Sequence, residues 1–97
     1  MKIKTNEAIK DLKGIAIKKD GKDNFTVGDA LANILVSDKV GGKMKMFILA
    51  QKCANDKEID VDKADISMIR DAVDRTEQYN NLVNGQLLVM LDDLKEK

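Results

Sequence analysis

Histidine is absent from this 97-residue chain, cysteine occurs once, and only three residues are aromatic. Each shortage removes a class of chemistry. Without histidine the chain lacks the commonest general base at neutral pH and the commonest metal ligand. The lone Cys53 cannot close an internal disulfide, which points to a reducing compartment. Phe25, Phe47 and Tyr79 are too few for a base-stacking platform, so the core must be aliphatic. Charge excess is missing too: 17 basic residues face 17 acidic ones. A general nucleic-acid binder carries a clear basic surplus. No apolar run is longer than that from Leu87 to Leu91, which is far shorter than a membrane span. The Met1–Glu7 stretch leads into no apolar run, so no secretion signal is expected.

What remains is an ordinary folded composition, 43% hydrophobic and 35% charged. Its length fits a single domain over residues 1–97 with one modest core. The early region alternates around Ile15-Ala16-Ile17, and Asp20-Gly21-Lys22-Asp23-Asn24 is a strong turn signal. These features predict a short β-hairpin within 1–25. No internal repeat is evident on inspection.

From residue 26 the apolar period changes to that of helices. Thr26 is an expected N-cap, with Asp29 three residues later in a capping box. Val27, Ala30, Leu31, Ile34 and Leu35 form one stripe behind it. The Gly41-Gly42 pair separates this helix from a second, over 43–54. That second helix is apolar on most of its circumference: Met46, Leu49, Ala50 and Cys53 on one face, Met44, Phe47 and Ile48 on another. Such a helix is sandwiched or half in an interface. Glu58 to Val61 alternates like a short strand. Asp62 is the expected cap of a third helix over 63–75, with Val61 and Ile66 as a hydrophobic staple. The segment 81–95 fits a helix through Leu82, Val83, Leu87, Met90, Leu91 and Leu94. Asn84-Gly85 would also suit a hairpin turn, but the acidic-then-basic end favours a helix. The expected fold is therefore mainly helical α+β: a hairpin region over 1–25, then about four helices over 26–97.

No catalytic constellation emerges. Cys53 lies on an apolar face without a base and reads as a buried structural thiol. Asp60, Asp62 and Asp65 suggest a cation loop at first sight, but Ala64, Asp65 and Asp71 stand where an EF-hand needs a ligand, glycine and glutamate. Helix capping explains them better. Neither Gly21-Lys22 nor Gly42-Lys43 has phosphate-loop spacing. No enzyme activity, cofactor or metal is expected. Arg70 and Arg75 are the only arginines, and arginine is the stronger interface anchor. With Met44, Phe47, Ile48 and Tyr79 they make up the candidate interface.

The zero net charge conceals an asymmetry. Residues 1–57 hold twelve lysines and seven acids, net +5, and residues 58–97 hold five bases and ten acids, net −5. The halves can neutralise each other within the chain, or favour self-association or a steered partner.

One resemblance covers most of the chain. Leu12-Lys13-Gly14, Thr26 to Leu31, Leu49 to Lys52, Ile59 to Asp62 and Val83 to Gln86 together resemble a group of small phage and prophage proteins. These motifs are turns and caps, so the resemblance supplies no functional residue. It implies phage origin and a small accessory role in the host cytoplasm. The leading expectation is a non-enzymatic protein–protein interaction module, an accessory or host-directed inhibitor, with a host or phage protein as partner and homo-oligomers as a further outcome. A phage structural or assembly factor is the first alternative. A nucleic-acid-binding regulator using the Lys-rich N-terminal half is the second, weakened by the lack of arginine and aromatics for readout there. No membrane partner is expected.

Overall fold

The computed structural model describes residues 1–95. Among these, four helices form where caps and apolar spacing place them: α1 (Val27–Ser37), α2 (Lys43–Asn55), α3 (Lys63–Arg75) and α4 (Asn81–Lys95). The expected capping box opens α1. Thr26 Oγ1 accepts from Asp29 N–H and Asp29 Oδ2 accepts from Thr26 N–H, each at 3.1 Å. A second box opens α3, where Asp62 accepts from Asp65 N–H at 2.7 Å and Asp65 accepts from Asp62 N–H at 3.1 Å. Aspartate is short for this return bond, yet both boxes close. Asn80 Oδ1 accepts from Val83 N–H at the start of α4.

The Asn84-Gly85 pair is helical, not a turn. Val83, Leu87 and Leu91 are buried at four-residue spacing, and that burial outweighs the local turn preference. Gln86 Nε2 and Asn84 Nδ2 also bond back to the Leu82 and Tyr79 carbonyls.

The N-terminal third departs from a simple hairpin. Its only regular strand, β1 (Lys2–Ile3), pairs antiparallel with the distant β2 (Ile59–Asp60), in the register Lys2↔Asp60 and Ile3↔Ile59. Both isoleucines are buried, so the pairing is set by the core and not by a nearby turn. The Thr5 hydroxyl donates to the Asp56 carbonyl, and Gly28 N–H donates to the Thr5 carbonyl at 2.8 Å. Residues 1–7 are thus wedged between the β2 segment and the start of α1.

Residues 8–26 contain a repeat that inspection of the sequence passed over. Three short extended passes meet at Ile9, Ile17 and Phe25, eight residues apart. Ile17 N–H donates to Ile9 O (2.9 Å), Phe25 N–H to Ile17 O (2.7 Å), and Ile9 N–H to Phe25 O (2.8 Å). The three bonds close a triangle. Two of the passes are the same tripeptide, Ala8-Ile9-Lys10 and Ala16-Ile17-Lys18; the third is Asn24-Phe25-Thr26. The turns between them contain Gly14 and Gly21, both at φ +84°, which a side chain would strain. Ile9 is buried, and Ile17 and Phe25 pack against the core. Phe25 also meets Tyr79 with ring centroids 5.6 Å apart.

Around this triangle α1 packs on α2 and α3, and α3 packs on α4. Leu31, Ile66, Ile69 and Leu91 lie at its centre, fully buried. The fold is mainly helical α+β. Among the described residues no helix is long and apolar enough to cross a membrane.

Candidate protein-interaction surfaces

The second helix is apolar on two faces, and only one of them is used internally. Met46, Leu49, Ala50 and Cys53 are buried. Met44, Phe47 and Ile48 are exposed, Met44 at 76% and Phe47 at 53%. Val36 of α1, also exposed, lines one shallow groove with Phe47 over a floor that includes Ala32, Ala50 and Ala54. Single exposed apolar side chains are ordinary on a protein surface. A patch continued across a helix–helix groove is not, and it is the usual mark of an interaction surface. The helix carries Lys43, Lys45 and Lys52 and no acid. Lys45 is bound to Asp65 of α3 at 2.9 Å, whereas Lys43 and Lys52 flank the exposed face.

The other candidate residues serve the fold. Arg70 Nε donates to Asp92 at 2.8 Å, tying α3 to α4. Arg75 donates to both oxygens of Asp38 at 3.0 Å, joining the ends of α3 and α1. Tyr79 packs on Phe25 and accepts from Asn33 at 2.8 Å. The structure therefore keeps Met44, Phe47 and Ile48 together on one face and places Arg70, Arg75 and Tyr79 in internal contacts. Lys2–Glu58 and Lys45–Asp65 cross between the basic and acidic halves, so part of the charge asymmetry is neutralised within the chain.

Sequence reading missed a second apolar surface. A groove of about 950 Å³ runs between the N-terminal segment and α4, lined by Ile9, Leu12, Val27, Leu82, Gly85 and Met90 among others. Leu12 is 95% exposed, and Val89, also exposed, lines the same groove. The groove wall is fixed by Gln86, whose amide accepts from Lys10 N–H at 3.0 Å and donates to Lys10 O. One sequence signal was available: Leu12 is flanked by Asp11, Lys13 and Gly14, and its period-2 neighbours Lys10 and Gly14 give it no apolar partner on an extended strand.

Buried chemistry is inert. Burial, and then the Asp56 charge, push the Cys53 thiol from an ordinary value of 9.0 up to about 11. It is a neutral thiol at pH 7, which makes it a poor nucleophile. A thiol-reactive disulfide reagent is expected to leave the native protein unlabelled at neutral pH and to label it fully in denaturant. Rapid native labelling would contradict this burial. Among the described residues no three acidic or thiol side chains gather with the geometry of a metal site.

Several carboxylates are held low. Burial raises Asp38, whose side chain is 6% exposed, but the Gly41 N–H and Arg75 outweigh it. Lys45, aided by the Asp62 N–H contact, lowers Asp65 against its own burial. These groups stabilise the fold fully above their ordinary value near 3.8 and lose that contribution as pH falls through their lower folded values. The raised thiol acts at the other end: the unfolded chain ionises first, so stability falls between 9.0 and about 11. With no histidine, the chain has no side chain whose ordinary pKa lies between about 5 and 8. Thermal melts should therefore give a flat midpoint from about pH 5 to 8, with losses on both flanks. A sloping midpoint inside that window would contradict the assignment.

In comparisons with family models, curated proteins and solved structures, the chain matches none.

Proposed function

We propose that the chain is a non-enzymatic protein–protein interaction module that docks a partner on the outer face of α2. The observation that carries this reading is the continuous patch of Met44, Phe47, Ile48 and Val36. Phe47 is its centre, in the position where aromatic anchors dominate binding energy. Lys43 and Lys52 at the margin, with no acid on the helix, favour a partner whose apolar contact is rimmed by Asp or Glu. The rest of the fold acts as a rigid support: the capping boxes and the Arg75–Asp38 latch fix α1 and α3, and α2 packs on α1. Phage origin and an accessory or host-directed role come from the resemblance noted above and belong to the same proposal.

Capture from host lysate, with and without infection, tests it. Immobilised wild-type protein should retain a partner that Phe47→Glu does not, while both proteins give the same circular dichroism and melting temperature. A partner retained equally by Phe47→Glu would remove the α2 face from the account.

A further inference from the structure

We infer that the groove between the N-terminal segment and α4 is a self-association surface, filled by a second copy of this chain. The inference extends the interaction-module reading to a different face, and the α2 site can stand or fall separately.

The first support is a rigid apolar projection. Leu12 stands almost wholly in solvent at the tip of a turn. The Asp11 carboxylate accepts from Lys13 N–H at 2.8 Å and from Ile15 N–H at 3.0 Å, and Gly14 takes the left-handed conformation. A side chain presented on so fixed a turn loses little further freedom when it is captured. The second support is a matching hollow. A Cβ at Gly85 would meet nothing within 4 Å, so no internal contact requires glycine there. Glycine in a helix interior nevertheless costs about 1 kcal/mol against alanine. The hollow lies on the same surface as the projection. A two-fold contact needs this arrangement, because each copy must offer both the group inserted and the place that receives it.

Charge favours a second copy, since a two-fold pair sets the N-terminal wall, with one more lysine than carboxylate, against the Asp93 side of the partner. The groove is lined by three lysines (Lys2, Lys4, Lys10) and three carboxylates (Glu7, Asp11, Asp93). All three lysines are on the N-terminal wall, and α4 contributes only Asp93. A face balanced in this way does not repel its own copy, whereas the all-lysine α2 face does. With the two-fold axis running along the groove, each N-terminal wall lies over the partner's α4. Rotation about that axis leaves height along the groove unchanged. Gln86 holds Lys10 against the middle of α4, and Leu12, two residues on, lines the same groove as Gly85, so the two-fold sets each Leu12 against the partner's groove.

Size-exclusion chromatography with light scattering, run over a range of protein concentrations at low and high salt, tests this. Wild type should reach twice 10.8 kDa as concentration rises. Leu12→Asp should stay monomeric at every concentration while keeping the wild-type circular dichroism and melting behaviour. Gly85→Leu, which fills the hollow, should also be monomeric, and Phe47→Glu should dimerise like wild type. Mixing Leu12→Cys chains with Gly85→Cys chains under mild oxidation should give a disulfide-linked heterodimer in larger yield than either chain alone. A monomer under all conditions would overturn the inference, as would a dimer that survives Leu12→Asp. A dimer lost in Phe47→Glu instead would move the second copy to α2 and also overturn it. A wild-type monomer that still captures a Phe47-dependent partner would end the self-association claim alone. A dimer with Phe47-independent capture would end the α2 reading alone.

Discussion

Gly28→Ala will destabilise the fold by about 1–3 kcal/mol, although alanine is the better helix former by about 1 kcal/mol. Gly28 lies in the first turn of α1, and a Cβ there would run into the backbone carbonyl of Cys53 at the end of α2. It would also stand 3.0 Å from both the Cβ and the carbonyl oxygen of Thr5. Neither obstacle is the flexible end of a side chain. Relief requires moving α2 or breaking the bond from Gly28 N–H to Thr5 O, and so loosening β1. Gly85 provides the control. Its added Cβ meets open space, so Gly85→Ala should stabilise by about 1 kcal/mol in the Leu12→Asp background, where association makes no contribution. Urea or thermal unfolding of both variants measures the contrast. Equal effects of the same sign would mean that α1 and α2 are not packed as closely as described.

Leu31→Ala is expected to cost about 2–5 kcal/mol, a large part of the stability of a domain this small. Leu31 is wholly buried at the middle of α1, the helix that packs on both α2 and α3. Removing its branched end leaves a cavity that rigid neighbours on two sides cannot collapse into. The loss should appear as a lower urea midpoint with an unchanged slope. A cost below about 1 kcal/mol would place Leu31 at a surface and contradict the core.

The helices were legible because their information is local. Thr26 and Asp62 mark two starts, Gly41-Gly42 marks a break, and apolar residues recur at three- and four-residue spacing. For α4 the pattern favoured a helix over the competing Asn84-Gly85 turn, and the burial of Val83, Leu87 and Leu91 decides it. The N-terminal region was less legible. β1 finds its partner more than fifty residues away, a choice made by the shared burial of Ile3 and Ile59. The eight-residue repeat was present in the letters Ala-Ile-Lys at 8 and 16, but the turns between the passes differ and its third member, Asn-Phe-Thr, shares no residue with the other two.

The candidate site divides in the same way. Met44, Phe47 and Ile48 could be identified because a helix apolar on most of its circumference is either sandwiched or half in an interface. Arg70 and Arg75 were chosen for residue type alone; their carboxylates, Asp92 and Asp38, lie 22 and 37 positions away, and only folding brings them together. Leu12 and Gly85 were invisible as a pair, since projection and hollow are properties of the folded surface.

A titration tests the α2 face directly. Once a partner has been captured and purified, its affinity for wild-type protein and for Phe47→Glu should be compared by calorimetry at fixed salt. Burial of Phe47 as the central anchor predicts a loss of at least about 2 kcal/mol, roughly thirtyfold in Kd, with the fold unchanged. Equal affinity for the two proteins would contradict the claim that this face is where the partner docks.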